Sequence, residues 1–234
     1  MITKVTITGA DDSINPKKLL ELSEKYPFVE WGILVSKKHF GSYRFPTIDW
    51  LKKLGDFWNG TWMGLSCHLC GYYVRELVTG NNIARDELGY LWHMFDRVQI
   101  NFHAEVHQFG YEMFDAIKIN NTKEFIFQYD SVNDFIVKKA KENGVDNCSV
   151  LFDTSGGAGV LPGNWQKPLD WVKCGYAGGI SPENIESQIL LINSIVGETE
   201  TWIDMETHVR SNNDSLFDLN KVEKCLEISS KYIK

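Results

Sequence analysis

Proton transfer needs carboxylates, imidazoles or thiols that converge, and anion binding needs backbone N–H groups left accessible by glycine. Two stretches of this 234-residue chain offer such residues. Leu151-Phe152-Asp153-Thr154-Ser155-Gly156-Gly157-Ala158-Gly159 sets a carboxylate at the end of an apolar run and follows it with small residues. Glycines at 156 and 157 let a ligand approach the backbone. Val172-Lys173-Cys174-Gly175-Tyr176-Ala177-Gly178-Gly179-Ile180-Ser181-Pro182-Glu183-Asn184 runs from a strand pattern through Gly178-Gly179 into a helix start. That order exposes N–H groups in a way that suits phosphate. Ordinary loop geometry is the alternative reading of both stretches.

Two imidazoles extend the set. His68, in Cys67-His68-Leu69-Cys70, is the first candidate base, since an unperturbed imidazole titrates near neutrality. Cys67 and Cys70 are three apart on a strand pattern and point to opposite faces, which argues against a zinc or dithiol site. His103, two residues before Glu105, is the second candidate base. Asp204 and Glu206 close the last apolar run. His68, His103, Asp153 and Asp204 around one mouth would also suit a divalent metal. No ligand spacing singles one out, so the reading expects no metal and no cofactor.

Something must bring these residues together. Strand patterns fall at Val5–Thr8, Phe28–Val35, Thr61–Leu69, Arg97–Phe102, Glu124–Gln128, Ser149–Asp153, Val172–Tyr176 and Thr201–Met205. Helical spacing lies between them, as in Leu19-Leu20-Leu22, Phe135-Ile136-Lys139-Ala140 and Ile185-Ile189-Ile192-Ile195. Asn15-Pro16 and Ser181-Pro182-Glu183 are helix-start signals. Eight strands alternating with helices, undivided by any Pro-, Gly- or Ser-rich linker, predict a single α/β domain over 1–234, a (β/α)8 TIM barrel. Barrel chemistry sits at the C-terminal strand ends. Those ends are Thr8, Ser36, His68, His103, Gln128, Asp130, Asp153, Gly178-Gly179 and Asp204 to Arg210.

With 24 Lys+Arg against 31 Asp+Glu, the net charge of −7 disfavours a nucleic-acid or acidic-membrane partner. No apolar run is long enough to span a bilayer. The first residues enter a strand pattern directly, and five unevenly spaced cysteines do not form a disulfide framework. A cytoplasmic protein is expected, with its oligomeric state left open. The many tryptophans and phenylalanines fall in strand and helix patterns and are first explained by packing.

Taken in order, Val5-Thr6-Ile7-Thr8-Gly9, Arg97-Val98-Gln99-Ile100, Asp153 with Gly156-Gly157-Ala158-Gly159, Ala177-Gly178-Gly179-Ile180-Ser181-Pro182-Glu183-Asn184 and Trp202-Ile203-Asp204-Met205 resemble phosphoribosylanthranilate isomerase of tryptophan biosynthesis. The resemblance is clearest in the last third of the chain. It implies an intramolecular isomerase that carries out an Amadori rearrangement on a phosphorylated aminosugar. Asp153 then falls at the general acid, and Arg44 in Gly41-Ser42-Tyr43-Arg44 at a carboxylate clamp. The first-strand base position, a cysteine in that family, is Thr8 here, whose hydroxyl is too weak an acid to act unaided. Where the family shows a small-residue phosphate loop after the last strand, this chain has Thr207-His208-Val209-Arg210, so His208 and Arg210 become the anion contacts. Three expectations follow: an isomerase with His68 or His103 as substitute base, a silent barrel that binds a phosphometabolite, or a metal-dependent epimerase or aldolase.

Overall fold

The computed structural model describes residues 1–102, 110–153 and 158–233. Eight parallel strands, each paired with the next and the last with the first, close into a barrel. They are β1 (Ile2–Thr8), β2 (Val29–Val35), β3 (Gly64–Leu69), β4 (Arg97–Ile100), β5 (Glu124–Tyr129), β6 (Cys148–Phe152), β7 (Lys173–Ala177) and β8 (Thr201–Met205). The helices are α1 (Lys17–Lys25), α2 (Ile48–Trp58), α3 (Tyr72–Val78), α4 (Ile83–Leu88), α5 (Glu112–Ile119), α6 (Asp134–Glu142), α7 (Ile185–Val196) and α8 (Leu219–Ser229). All eight expected strands are present, with ends shifted by at most a few residues.

Local chemistry sets the helix starts. The Asn15 side chain accepts the Lys17 N–H at 3.0 Å and opens α1 beside Pro16. Thr47 accepts the Trp50 N–H and caps α2, while the Asp218 carboxylate does the same for α8. One connection departs from simple alternation: among the described residues, no helix joins β6 to β7. After β8 a single 3-10 turn (Thr207–Val209) leads into a small hairpin, β9 (Arg210–Ser211) with β10 (Leu216–Phe217), ahead of α8. Its turn holds Asn212, Asn213 and Asp214 at positive φ, a conformation Asn and Asp tolerate better than most residues.

The apolar core lies between strands and helices, where Val5, Ile7, Trp31, Ile33, Ile203 and Met205 pack outward. The barrel interior is different. Such interiors are usually filled by branched apolar side chains. Here the apolar cluster inside is small, Ile126, Leu151 and Trp202 with Ala177 beside them. The remaining buried side chains include Thr6, Thr8, Glu30, Ser66, His68, Arg97, Gln99, Ser149 and Asp204. Two strand glycines make room for them. A Cβ on Gly175 would meet the Trp202 ring at 2.1 Å, and one on Gly32 would meet Thr8 Oγ1 at 2.1 Å and the His68 ring at 2.9 Å.

Candidate active site

A small, partly open pocket lies at the C-terminal strand ends. Asp153, Gln99, Asp204, Glu206 and His208 supply its polar side chains, and Ala177 to Ile180 form one wall. The closed barrel brings together ends of β4, β6, β7 and β8 that the sequence scatters.

Asp204 is the centre of the floor. Its Oδ1 accepts the Thr8 hydroxyl at 2.8 Å, and its Oδ2 lies 4.0 Å from His68 Nε2. Burial pushes its pKa up to about 8; the Thr8 bond opposes that rise and the nearby Glu206 charge adds to it. Asp204 is therefore a carboxyl group that still holds its proton at neutral pH. Glu206 is also raised by burial, against the pull of Arg44.

His68 does not fit the role of base titrating near neutrality. The imidazole is 1% exposed, and burial drives its pKa down to about 3. It is a neutral ring beneath the pocket, with Nε2 lacking a hydrogen-bond partner. Thr8 is equally enclosed and serves Asp204 as a donor. The position that the resemblance assigns to a base thus holds a group that orients an acid.

Asp153, 8% exposed, lines the pocket and accepts a hydrogen bond from Gln128 Nε2 at 3.2 Å. Gly178 and Gly179 line it too, with φ of 122° and 62°. Their glycine identity also has a packing reason, because added Cβ atoms would meet Val160 O at 2.8 Å and Leu161 N at 2.4 Å. Asn184 shapes the same turn by donating to Gly179 O at 2.9 Å and accepting the Ser181 N–H at 2.8 Å. His208 stands at the rim, its Nε2 3.0 Å from Gly159 O.

The two arginines read as anion clamps are committed elsewhere. Arg210 is 4% exposed and donates to Gly9 O, to Asp11 Oδ2 at 2.7 Å and to Asp214 O at 2.8 Å. Arg44 reaches Glu206 Oε1 and Asp214 Oδ2, each at 2.5 Å, and its backbone N–H donates to Asp11. Together they clasp the loops after β1, β2 and β8. Neither guanidinium lines the pocket. His103, Gly156 and Gly157 lie outside the described residues.

The thiols of Cys67 and Cys70 are free, with Cys67 packed in the outer core, as expected for opposite faces of β3. Among the described residues, no three His, Cys, Asp or Glu side chains are grouped to hold a metal ion. No described helix is long and apolar enough to cross a membrane.

Two residues escaped the reading of strand ends. Gln99 lies inside β4, one turn of the pleat before the end, and Gly32 lies mid-strand in β2. An isolated glycine within a strand marks a close approach, and Gly32 and Gly175 both carried that signal.

Closed strand order and a polar mouth define the chain as a (β/α)8 barrel with a candidate acid/base site. No protein-family model matches it, and no curated protein does. The resemblance to phosphoribosylanthranilate isomerase accordingly rests on the residues quoted above. Solved structures agree on the fold. The chain is similar to 3-hexulose-6-phosphate synthase from Salmonella typhimurium at 12% identity and a TM-score of 0.54, covering 98% of this chain and 100% of that one. It is also similar to phospho-2-dehydro-3-deoxyheptonate aldolase from Thermotoga maritima, at 12% identity and a TM-score of 0.57, over 98% of this chain and 69% of that one. D-psicose 3-epimerase from Clostridium cellulolyticum H10, solved with D-tagatose, gives 10% identity and a TM-score of 0.52 over 98% of each chain. At such identities the likeness establishes the barrel.

Proposed function

We propose that this barrel is an intramolecular isomerase that moves protons on a phosphorylated sugar derivative. The observation that carries the reading is Asp204, a buried carboxyl with a pKa near 8 in a pocket that also presents Asp153. General acid–base catalysis works best with a group that titrates near the operating pH. Asp204 gives its proton to the substrate's carbonyl or ring oxygen. Asp153, aimed by Gln128, takes the proton from the neighbouring carbon. Asp153 then delivers its proton to the former carbonyl or imine carbon while Asp204 recovers one from the hydroxyl of the neighbouring carbon, which completes an aldose–ketose or Amadori-type rearrangement. This exchanges the roles implied by the resemblance, where Asp153 is the acid and the first strand carries the base. The Gly178-to-Ile180 wall and the His208 rim are the supports for a phosphate group, since both arginines are engaged.

Two of the similar structures are a hexulose phosphate synthase and a phosphorylated-sugar-acid aldolase, which agrees with a phosphorylated substrate. The test is proton NMR in D2O with a panel of pentose and hexose phosphates and freshly generated phosphoribosylanthranilate. Wild type should place solvent deuterium at the carbon beside the carbonyl and form the isomer. Asp153→Asn and Asp204→Asn should each slow this by about 10²- to 10⁴-fold. Saturable binding without exchange by any of these compounds would favour the silent phosphometabolite-binding barrel instead.

A further inference from the structure

The pocket floor carries a hydrogen-bond relay whose direction is set from one end. The Cys70 thiol donates to the His68 carbonyl oxygen at 3.7 Å, and an S–H facing a backbone carbonyl can only donate. Its sulfur then accepts the Asn101 Nδ2 donor at 3.2 Å. With that amide nitrogen turned to sulfur, Asn101 Oδ1 faces Gln99 and accepts Gln99 Nε2 at 2.9 Å. That leaves Gln99 Oε1 as the end of the relay, a buried acceptor without a hydrogen-bond partner. Gln99 is 7% exposed and lines the pocket. His68 Nε2 is a second unpartnered buried atom of this floor, 4.0 Å from Asp204.

A buried amide oxygen without a donor is costly unless something bound supplies one. We propose that Gln99 is a specificity-determining residue, its Oε1 oriented by Asn101 and Cys70 to accept a hydrogen bond from a substrate hydroxyl. The ligand class at the floor is an uncharged polyhydroxy chain, with any anionic group kept to the rim. Asn101 is a positioning residue. This inference rests on the reading that the pocket takes a sugar derivative. It adds which part of the sugar is read and by which atom.

Calorimetric titration with D-ribose 5-phosphate, its 2-deoxy and 3-deoxy counterparts and unphosphorylated D-ribose tests it. Wild type should bind one of the deoxy compounds about ten-fold more weakly than ribose 5-phosphate, the scale of one hydrogen bond to a buried acceptor. In Gln99→Leu, of similar volume, that ratio should fall to near one because the hydroxylated parent loses affinity. Asn101→Leu, which keeps Gln99 but frees its amide to turn, should shrink the ratio while phosphate dependence persists. A ratio unchanged in Gln99→Leu, or no discrimination by wild type, overturns the inference. Gln99-dependent binding of plain ribose, with nothing gained from phosphate, supports the inference and sinks the phosphorylated-substrate reading. Phosphate-dependent binding that ignores hydroxyls does the reverse. Failure of every sugar to bind overturns both.

Discussion

At the N-terminal end of the barrel, Glu30 is 0% exposed and meets Arg97 at 2.9 Å, Lys4 at 3.2 Å and the Thr6 hydroxyl at 2.8 Å. At the C-terminal end, Asp204 is 6% exposed and meets a threonine hydroxyl and a neutral imidazole. Burial works to raise both pKa values. Arg97 and Lys4 overcome it at Glu30, whose pKa ends below the ordinary range, whereas Asp204 rises to about 8. The indole of Trp202 lies over the Arg97 guanidinium at 4.1 Å, separating the charged layer from the pocket. One end spends its buried charge on holding strands together. The other keeps a protonatable group that, among the described residues, has no lysine or arginine ion pair and feels Arg97 only from a distance, so that it can hold a proton for transfer.

Substitutions at each end should therefore act on different observables. Asp204→Asn should lower turnover by about 10²- to 10⁴-fold while raising the denaturation midpoint at neutral pH, because the amide needs no proton taken up on folding. Glu30→Ala leaves Arg97 buried without its partner and should cost about 3–5 kcal/mol in urea unfolding. If Glu30→Ala did not lower stability, or if Asp204→Asn did, the contrast between the ends would fail.

The pH dependence should have opposite signs. Glu30, with a depressed pKa, contributes stability above its unfolded value that is lost as pH falls. Asp204 holds a proton in the folded state from its ordinary 3.8 up to about 8, where the unfolded chain has released it. Its share of stability therefore falls as pH rises, by at most about 1.4 kcal/mol per unit. Asp204→Asn should flatten that slope in a series of melts from pH 5 to 9. Turnover that depends on Asp204 as acid should decline as pH passes about 8.

Smaller effects sharpen the site. Gly32→Ala would put a Cβ 2.1 Å from Thr8 Oγ1, an overpacking worth about 1–3 kcal/mol, and should reduce kcat more than it moves the melting point. Thr8→Val removes the donor that holds down the Asp204 pKa. The high-pH limb of the rate profile should then move upward, by less than about one unit for a bond worth about 1 kcal/mol.

Much of the fold was legible because it is local. Strand alternation, Asn15 at a helix start and the Gly178-Gly179 turn are written in neighbouring residues. The site was legible in its residue types and not in their states. Asp204 stood at a strand end, but Thr8, which anchors it, is 196 positions away. His68 read as a base because an isolated imidazole titrates near neutrality; only the closed barrel removes it from water. Arg44 and Arg210 read as anion clamps because the resemblance sets Arg44 at a carboxylate clamp and Arg210 in the loop that stands where the family binds phosphate. Their carboxylates, Asp11, Asp214 and Glu206, come from loops the sequence does not place beside them. Gln99 carries no charge and lies within a strand, so a reading of strand ends passes over it.

The protonation state of Asp204 underlies the whole account, and carbon NMR of protein labelled at aspartate carboxyl groups reads it directly. One resonance, identified by its loss in Asp204→Asn, should titrate near pH 8. If that carboxyl is already ionised at pH 6, the C-terminal end of the barrel holds no acid for neutral pH, and the proposed isomerase chemistry is wrong.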